Sequence, residues 1–171
     1  MQEVSIFWFR RDLRLNDNAG LYHALKGEHP VVPIFIFDTN ILDDLYDKSD
    51  KRLDFIHQQI EHIQDTLIKK GSSLHVLHST PEEGFTELLK HYKIKTVFTN
   101  TDYEPYATTR DKHIAALMKK HGADFLSYKD QVIFEKGEVV KDNKEPYTVY
   151  TPYSKRWLAT LTDFYLKPYP T

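Results

Sequence analysis

A chain of 171 residues, 40% hydrophobic and 28% charged, is sized for one globular domain that buries a core without staples. The absence of cysteine excludes disulfides and thiolate chemistry, and a net charge of −2 gives no global pull on nucleic acid. The amino terminus enters strand-like sequence without a leader and no apolar run approaches bilayer length, so a cytoplasmic protein is expected.

The first unit runs from Val4 to Leu25. Val-Ser-Ile-Phe-Trp-Phe is apolar on both faces, as a central parallel strand requires. A loop with Arg10, Arg11, Asp12, Arg14, Asp17 and Asn18 follows at the strand's carboxyl end. Asp17 is expected to cap a helix over 18–26, with Gly27 as its left-handed stop. Val31–Phe37 reads as the second buried strand, ending at Asp38, and 39–51 as a polar crossover loop. Leu53, Ile56, Ile60, Ile63 and Leu67 form one apolar stripe of a long helix closed by Gly71.

A short third strand covers 74–78. Thr80-Pro-Glu-Glu83 is a capping box that opens a helix through Phe85, Leu88, Leu89 and Tyr92. The fourth strand is 96–99, with its exit loop at 100–105. A helix over 106–121 turns Ile114, Leu117 and Met118 inward and stops at Gly122, and the fifth strand is 125–128. Strands alternating with helices in this way predict an α/β fold. It is a Rossmann-like, doubly wound five-stranded parallel sheet with helices on both faces.

Residues 1–130 therefore make the α/β domain, and 131–171 a tail too short for a core of its own. Within the tail, 132–134 and 139–140 suggest a hairpin turning at Gly137. A short amphipathic helix with Trp157, Leu158, Leu161 and Phe164 follows. Aromatic residues here (Tyr147, Tyr150, Tyr153, Trp157) and the arginines of the first loop are types enriched at interfaces. They are expected to be partly exposed, favouring weak self-association or a tail folded back on the domain.

The usual phosphate cradles are absent: there is neither a Gly-x-Gly-x-x-Gly nor a Walker loop. Among nine histidines, His57 and His62 lack metalloprotease spacing, while His75 and His78 point to opposite strand faces, so no metal is expected. The first loop allows two readings. One is an internal network pairing Asp12 and Asp17 with Arg10, Arg11 or Arg14. The other is an edge that binds anions or planar rings through the guanidinium fork. Asp102, Glu104, Tyr106 and Arg110 at the fourth strand's exit would lie near that loop and complete a cleft. Trp8 and Trp157 read as packing residues.

Phe7-Trp-Phe-Arg-Arg-Asp-Leu-Arg-Leu-Asn-Asp-Asn18 closely resembles the opening motif of the photolyase/cryptochrome family. Four more stretches match in order: Pro33–Asp38, Asn100–Ala107 with Arg110 and Asp111, Asp130–Ile133, and Pro146–Trp157. The resemblance covers essentially the whole chain. It implies the amino-terminal α/β domain of a DNA photolyase or of a cryptochrome photoreceptor. The helical domain that holds FAD and the DNA-lesion pocket would lie after the interdomain connection in which this chain ends, making the chain an excised part of a larger light-driven protein. On that reading the chain is catalytically silent by itself, docks the FAD domain, and meets damaged DNA only within the full-length protein. The alternatives are a vestigial pocket, or a free-standing nucleotide-binding module of the universal-stress or electron-transfer-flavoprotein type.

The resemblance also bears on an antenna chromophore. Folate-binding bacterial members hold the pterin with an Asn-Glu pair whose aligned positions here are Tyr106 and Ala107, neither of which can supply a carboxylate. A flavin or deazaflavin is therefore favoured over folate. The matching positions for that type are Arg11, Phe37, Asp38 and Arg52.

Overall fold

The computed structural model describes every residue except Tyr46, Lys48 and Ser49. Five strands form one sheet: β1 (Gln2–Phe9), β2 (Val31–Asp38), β3 (His75–Ser79), β4 (Tyr92–Asn100) and β5 (Asp124–Tyr128). All neighbours are parallel and the order is β3-β2-β1-β4-β5. Helices α1 (Ala19–Leu25) and α3 (Lys51–Lys69) cover one face, and α4 (Pro81–His91) and α5 (Pro105–Lys120) the other.

The alternation of β1 explains this layering. Val4, Ile6 and Trp8 pack with Phe85 and Leu88 of α4 and Ile114 and Met118 of α5. Phe7 and Phe9 face the opposite way, onto Leu21 and Ala24 of α1 and Ile60 and Ile63 of α3. A strand with large side chains buried on both sides must lie mid-sheet. The chain leaves β1 toward β2 and later returns to β4 on the other flank. The carboxyl ends of β1, β2 and β4 thus frame the crevice that such topology opens.

Several local expectations are revised. Asp17 does not cap α1: its φ of 50° is left-handed, whereas the extended Asn18 accepts from the Leu21 amide at 3.1 Å. Gly27 is not a left-handed stop, since α1 ends at Lys26 with φ −85°, whereas Gly71 and Gly122 do close α3 and α5 at φ 77° and 71°. The crossover after β2 is not all loop. Asp38 accepts from the Asn40 amide at 3.0 Å and starts a single helical turn, α2 (Thr39–Leu42), while Tyr46, Lys48 and Ser49 of that loop lie outside the described residues.

The capping box of α4 forms as expected: Thr80 and Glu83 each accept from the other's backbone amide. Tyr92 belongs to β4 rather than to α4. Helix passes directly into strand there, and Lys95 is an extra residue between the Ile94–Val4 and Thr96–Ser5 pairs.

In the tail, 132–134 and 139–140 do not pair as a hairpin. A turn at Gly137 is closed by Glu138, whose carboxylate takes the Glu135 amide at 2.5 Å and the Lys129 ammonium at 2.7 Å. Those contacts replace a strand ladder, and Phe134 turns away to meet Trp157 and Tyr165. Helix α6 (Tyr150–Thr160) and a 3-10 turn (Asp163–Leu166) follow. The end of the tail folds back on α1. The Tyr169 amide donates to Asp17 Oδ1 at 2.8 Å, its ring lies against Tyr22 and His23, and the Thr171 hydroxyl donates to the Leu15 carbonyl.

Candidate functional site

Helix α1 begins where a dinucleotide-binding fold would receive a pyrophosphate. Here its first three amides are taken by side chains. Ala19 donates to Asp130 at 2.9 Å, Gly20 to Asn100 at 2.7 Å and Leu21 to Asn18 at 3.1 Å. The first loop is folded around the same residues. Asp12 accepts from the Arg10 amide at 2.9 Å and from the Asn100 side chain at 2.5 Å. The phosphate seat is filled by the protein itself.

The arginine side chains form their ion pairs with carboxylates beyond the loop rather than with those of Asp12 or Asp17, although Arg14 also donates to the Asp17 carbonyl at 2.6 Å. Arg10, its side chain 7% exposed, places Nη1 2.6 Å from both oxygens of Asp111, and Nη2 donates to the Asn100 carbonyl. Burial pulls the Arg10 pKa down and Asp111 opposes the shift. Arg11 remains half exposed and meets Glu104 at 2.6 Å and Asp102 at 3.8 Å, and the hydrogen bond it donates to Glu104 raises its pKa. Arg14 binds Asp130 at 2.8 Å. The loop thus ties β1 to the exits of β4 and β5. The expectation that all three arginines stay partly exposed fails for Arg10, because the first turns of α5 close over it.

Two of the cavities that border this loop hold the residues named from the sequence. One, about 410 Å³, is lined by polar and charged residues, among them Arg10, Arg11, Asp12, Arg14, Asn100, Asp102 and Asp130. The other, about 380 Å³, opens at the carboxyl ends of β1 and β2 between α3 and the first turns of α5. Phe35, Ile36, Phe37, Leu53 and Ile56 give it apolar walls, and Arg11, Asp38, Arg52, Asp102, Glu104, Tyr106 and Arg110 line it as well. Apolar walls with a few convergent polar groups are the usual character of a small-molecule site. Of the nine residues singled out from the sequence, eight line this cavity; Asp12 lines only its polar neighbour.

The polar groups of the apolar-walled cavity are engaged with one another. The Tyr106 hydroxyl donates to Asp38 Oδ2 at 2.5 Å, and burial, then this bond, raises its pKa. Arg52 clasps its own helix cap, Asp50, at 2.5 Å, and its hydrogen bonds lower the Asp50 pKa to about 2. Beneath them lies Trp8, 2% exposed. The Arg10 and Arg110 guanidinium carbons lie 5.2 and 4.9 Å from its ring centroid, and both arginines share Asp111. Asn100, Asp111 and Asp130 stand in the motif stretches of the sequence but receive no role in the site from it. They carry no signal of their own until the fold sets them beside the first loop. Among the described residues no group of three His, Asp or Glu side chains is placed to hold a metal.

The family model for DNA photolyase matches residues 5–171. This chain belongs to the DNA photolyase family. It corresponds to the family's amino-terminal α/β domain, and its relatives include both photolyases and cryptochromes. It is 31% identical to a deoxyribodipyrimidine photo-lyase of Synechococcus over 90% of this chain and 32% of that protein. It is 29% identical to cryptochrome-2 of Gallus gallus over 97% of this chain and 28% of that one. Among solved structures, the archaeal photolyase of Sulfolobus tokodaii, described with two FAD molecules and an implied novel light-harvesting cofactor, superposes with a TM-score of 0.71. It is 34% identical over 77% of this chain and 30% of that one. The chain spans about a third of the photo-lyase it matches. No helix of this photolyase domain is long and apolar enough to cross a membrane among the described residues.

Proposed function

We propose that this domain holds a flavin-type light-harvesting chromophore in the apolar-walled cavity and serves a DNA photolyase. The carrying observation is convergence: residues from four separate stretches, Arg11, Phe37 with Asp38, Arg52, and Glu104 with Tyr106 and Arg110, line one cavity of about 380 Å³. The donor set suits a planar heteroaromatic ring. Phe35 and Phe37 can cover its faces, while Arg11 and Arg52 can reach carbonyl or phosphate oxygens. At the folate-type position stands Tyr106, which already donates to Asp38 and offers a pterin no carboxylate. Bound there, the chromophore supplies absorption of light and passes its excitation on.

The rest of the activity belongs to the longer protein. Its FAD would sit in a further domain that residues 131–171 begin to connect, with pyrimidine dimers in DNA as the substrate and the cytoplasm as the compartment. This chain alone would neither bind FAD in the catalytic manner nor repair dimers. Titration of the whole chain with FMN tests the proposal: absorbance should shift on binding and the melting temperature should rise. Saturation at about a hundred times the dissociation constant adds about 2.7 kcal/mol. Arg52→Ala should remove most of that gain, and no response to any flavin would overturn the reading.

One observation favours a second reading, a docking domain of a cryptochrome-type photoreceptor with a vestigial pocket. Arg11, Arg52 and Asp38 are all engaged by protein partners rather than held open. On that reading neither flavin nor folate changes the melting temperature.

A further inference from the structure

We infer that Arg110 sets the chemical class and orientation of the chromophore, holding the carbonyl edge of its ring while any phosphate stays outward beside Arg52. The inference rests on the chromophore reading above. Four arginines line the cavity, and they differ in what they have left to give. Arg11 and Arg52, side chains 53% and 79% exposed, have water for every N–H not taken by Glu104 or Asp50. Arg10 spends both terminal nitrogens on Asp111 and the Asn100 carbonyl. The side chain of Arg110 is 9% exposed, its guanidinium carbon 4.9 and 5.6 Å from the ring centroids of Trp8 and Tyr106. Nε and Nη2 both donate to Asp111 Oδ1, at 3.1 and 3.0 Å, which leaves Nη1 with no acceptor among the described residues. No fully buried side-chain nitrogen or oxygen among them lacks a partner. Nη1 therefore keeps contact with open space, and the cavity that Arg110 lines supplies it.

The chemistry of that donor selects the ligand. A guanidinium N–H takes an oxygen or ring-nitrogen acceptor, and the charge strengthens the bond. Arg10 and Arg110 share the Asp111 carboxylate, so this end of the cavity disfavours an amine. The pyrimidine end of a flavin or deazaflavin carries two carbonyls about one ring N–H. A pterin carries one carbonyl and an exocyclic amine there. Arg110 thus separates the two ring classes, and it does so with a buried group that has no solvent to turn to. With the carbonyls inward, the ribityl chain can run toward exposed Arg52. Both contacts are ground-state hydrogen bonds, and they leave the chromophore free to pass its excitation on.

Calorimetric titration of the whole chain with riboflavin and with FMN separates the contacts, because the two ligands share the ring and differ in the phosphate. Arg110→Met should weaken both by the same factor, about 10- to 100-fold, the worth of a hydrogen bond to a charged group. Arg52→Ala should weaken FMN far more than riboflavin. The parent protein tests the ring edge without any substitution, and decides the matter if Arg110→Met does not fold. Of two riboflavins carrying sulfur in place of one or the other pyrimidine oxygen, one should bind it about tenfold more weakly than riboflavin itself. In Arg110→Met that difference should vanish, which a merely structural loss would not produce. Equal binding of all three ligands by the parent, or a loss in Arg110→Met confined to FMN, would overturn the inference while leaving the chromophore site intact. Failure of every flavin to bind would overturn both together.

Discussion

The loop after β1 and the tail beyond Tyr128 use the same kinds of residue, yet one is locked and the other lies on the surface. In the loop, Arg10, Arg11 and Arg14 pair with Asp111, Glu104 and Asp130, partners 101, 93 and 116 positions away. In the tail, Lys129 pairs with Glu138 and Lys141 with Glu145, nine and four positions away. Among 131–171 only Val139 is buried, while β1 from Val4 to Phe9 is buried throughout. Identical chemistry is structural where it closes long loops over a core, and decorative where it joins near neighbours in water.

The sharpest test of that contrast exchanges tryptophans. Trp8→Ala should cost about 3–5 kcal/mol in urea unfolding, because it empties a packed site against Phe85. Trp157→Ala, which loses an exposed-side contact with Phe134, should cost about 1 kcal/mol. Equal losses would make the tail part of the cooperative core. Hydrogen exchange should agree, with amides of 141–171 exchanging before those of β1.

Next in size is the ion pair. Asp111→Ala leaves Arg10 and Arg110, side chains 7% and 9% exposed, without their shared carboxylate and should cost about 3 kcal/mol. Glu145→Ala in the tail should cost well under 1 kcal/mol. A small loss for Asp111→Ala would mean that water reaches the arginines.

A third test concerns how closely α1 sits on the sheet. Alanine in place of a helix glycine ordinarily gains about 1 kcal/mol. At Gly20 the added carbon would lie 2.8 Å from Asn100 Oδ1 and 2.9 Å from the Phe7 ring. Gly20→Ala should therefore lose about 1–3 kcal/mol. A neutral or stabilising result would show that α1 can slide.

The smallest effect is the acid limb of stability. Asp50 is held down to about 2 by Arg52, so its contribution is present above the unfolded pKa of about 3.8 and fades as pH falls through 2. Asp50→Asn should lower thermal stability near neutrality, match the parent once pH falls below about 2, and so flatten the dependence across that window. Because the pair is exposed, added salt should shrink the difference.

How much was legible beforehand follows the same line between local and distant contacts. The stripe Leu53–Leu67, the Thr80 capping box and the double-sided strand β1 each state their structure within a few turns of chain, and each forms as read. The cap of α1 was misread because Asp17 and Asn18 are both good caps. The choice fell to Asn18 once the Tyr169 amide and a left-handed backbone claimed Asp17. The supposed hairpin failed because Glu138, a residue of the turn itself, satisfied the backbone instead.

By itself the sequence determined a parallel α/β sheet, its helix-covered faces and the loops at its carboxyl edge, since hydrophobic period and caps act over a few residues. Arg11, Phe37, Asp38 and Arg52 were named on another ground, the family resemblance carried by the motif stretches. Only the tertiary structure decided which carboxylate meets which arginine, that Asp12 faces the polar neighbour, and that Tyr106 closes on Asp38. Those pairings join positions roughly 70 to 115 apart, and their partners are chosen by strand order and helix packing, which no local pattern encodes.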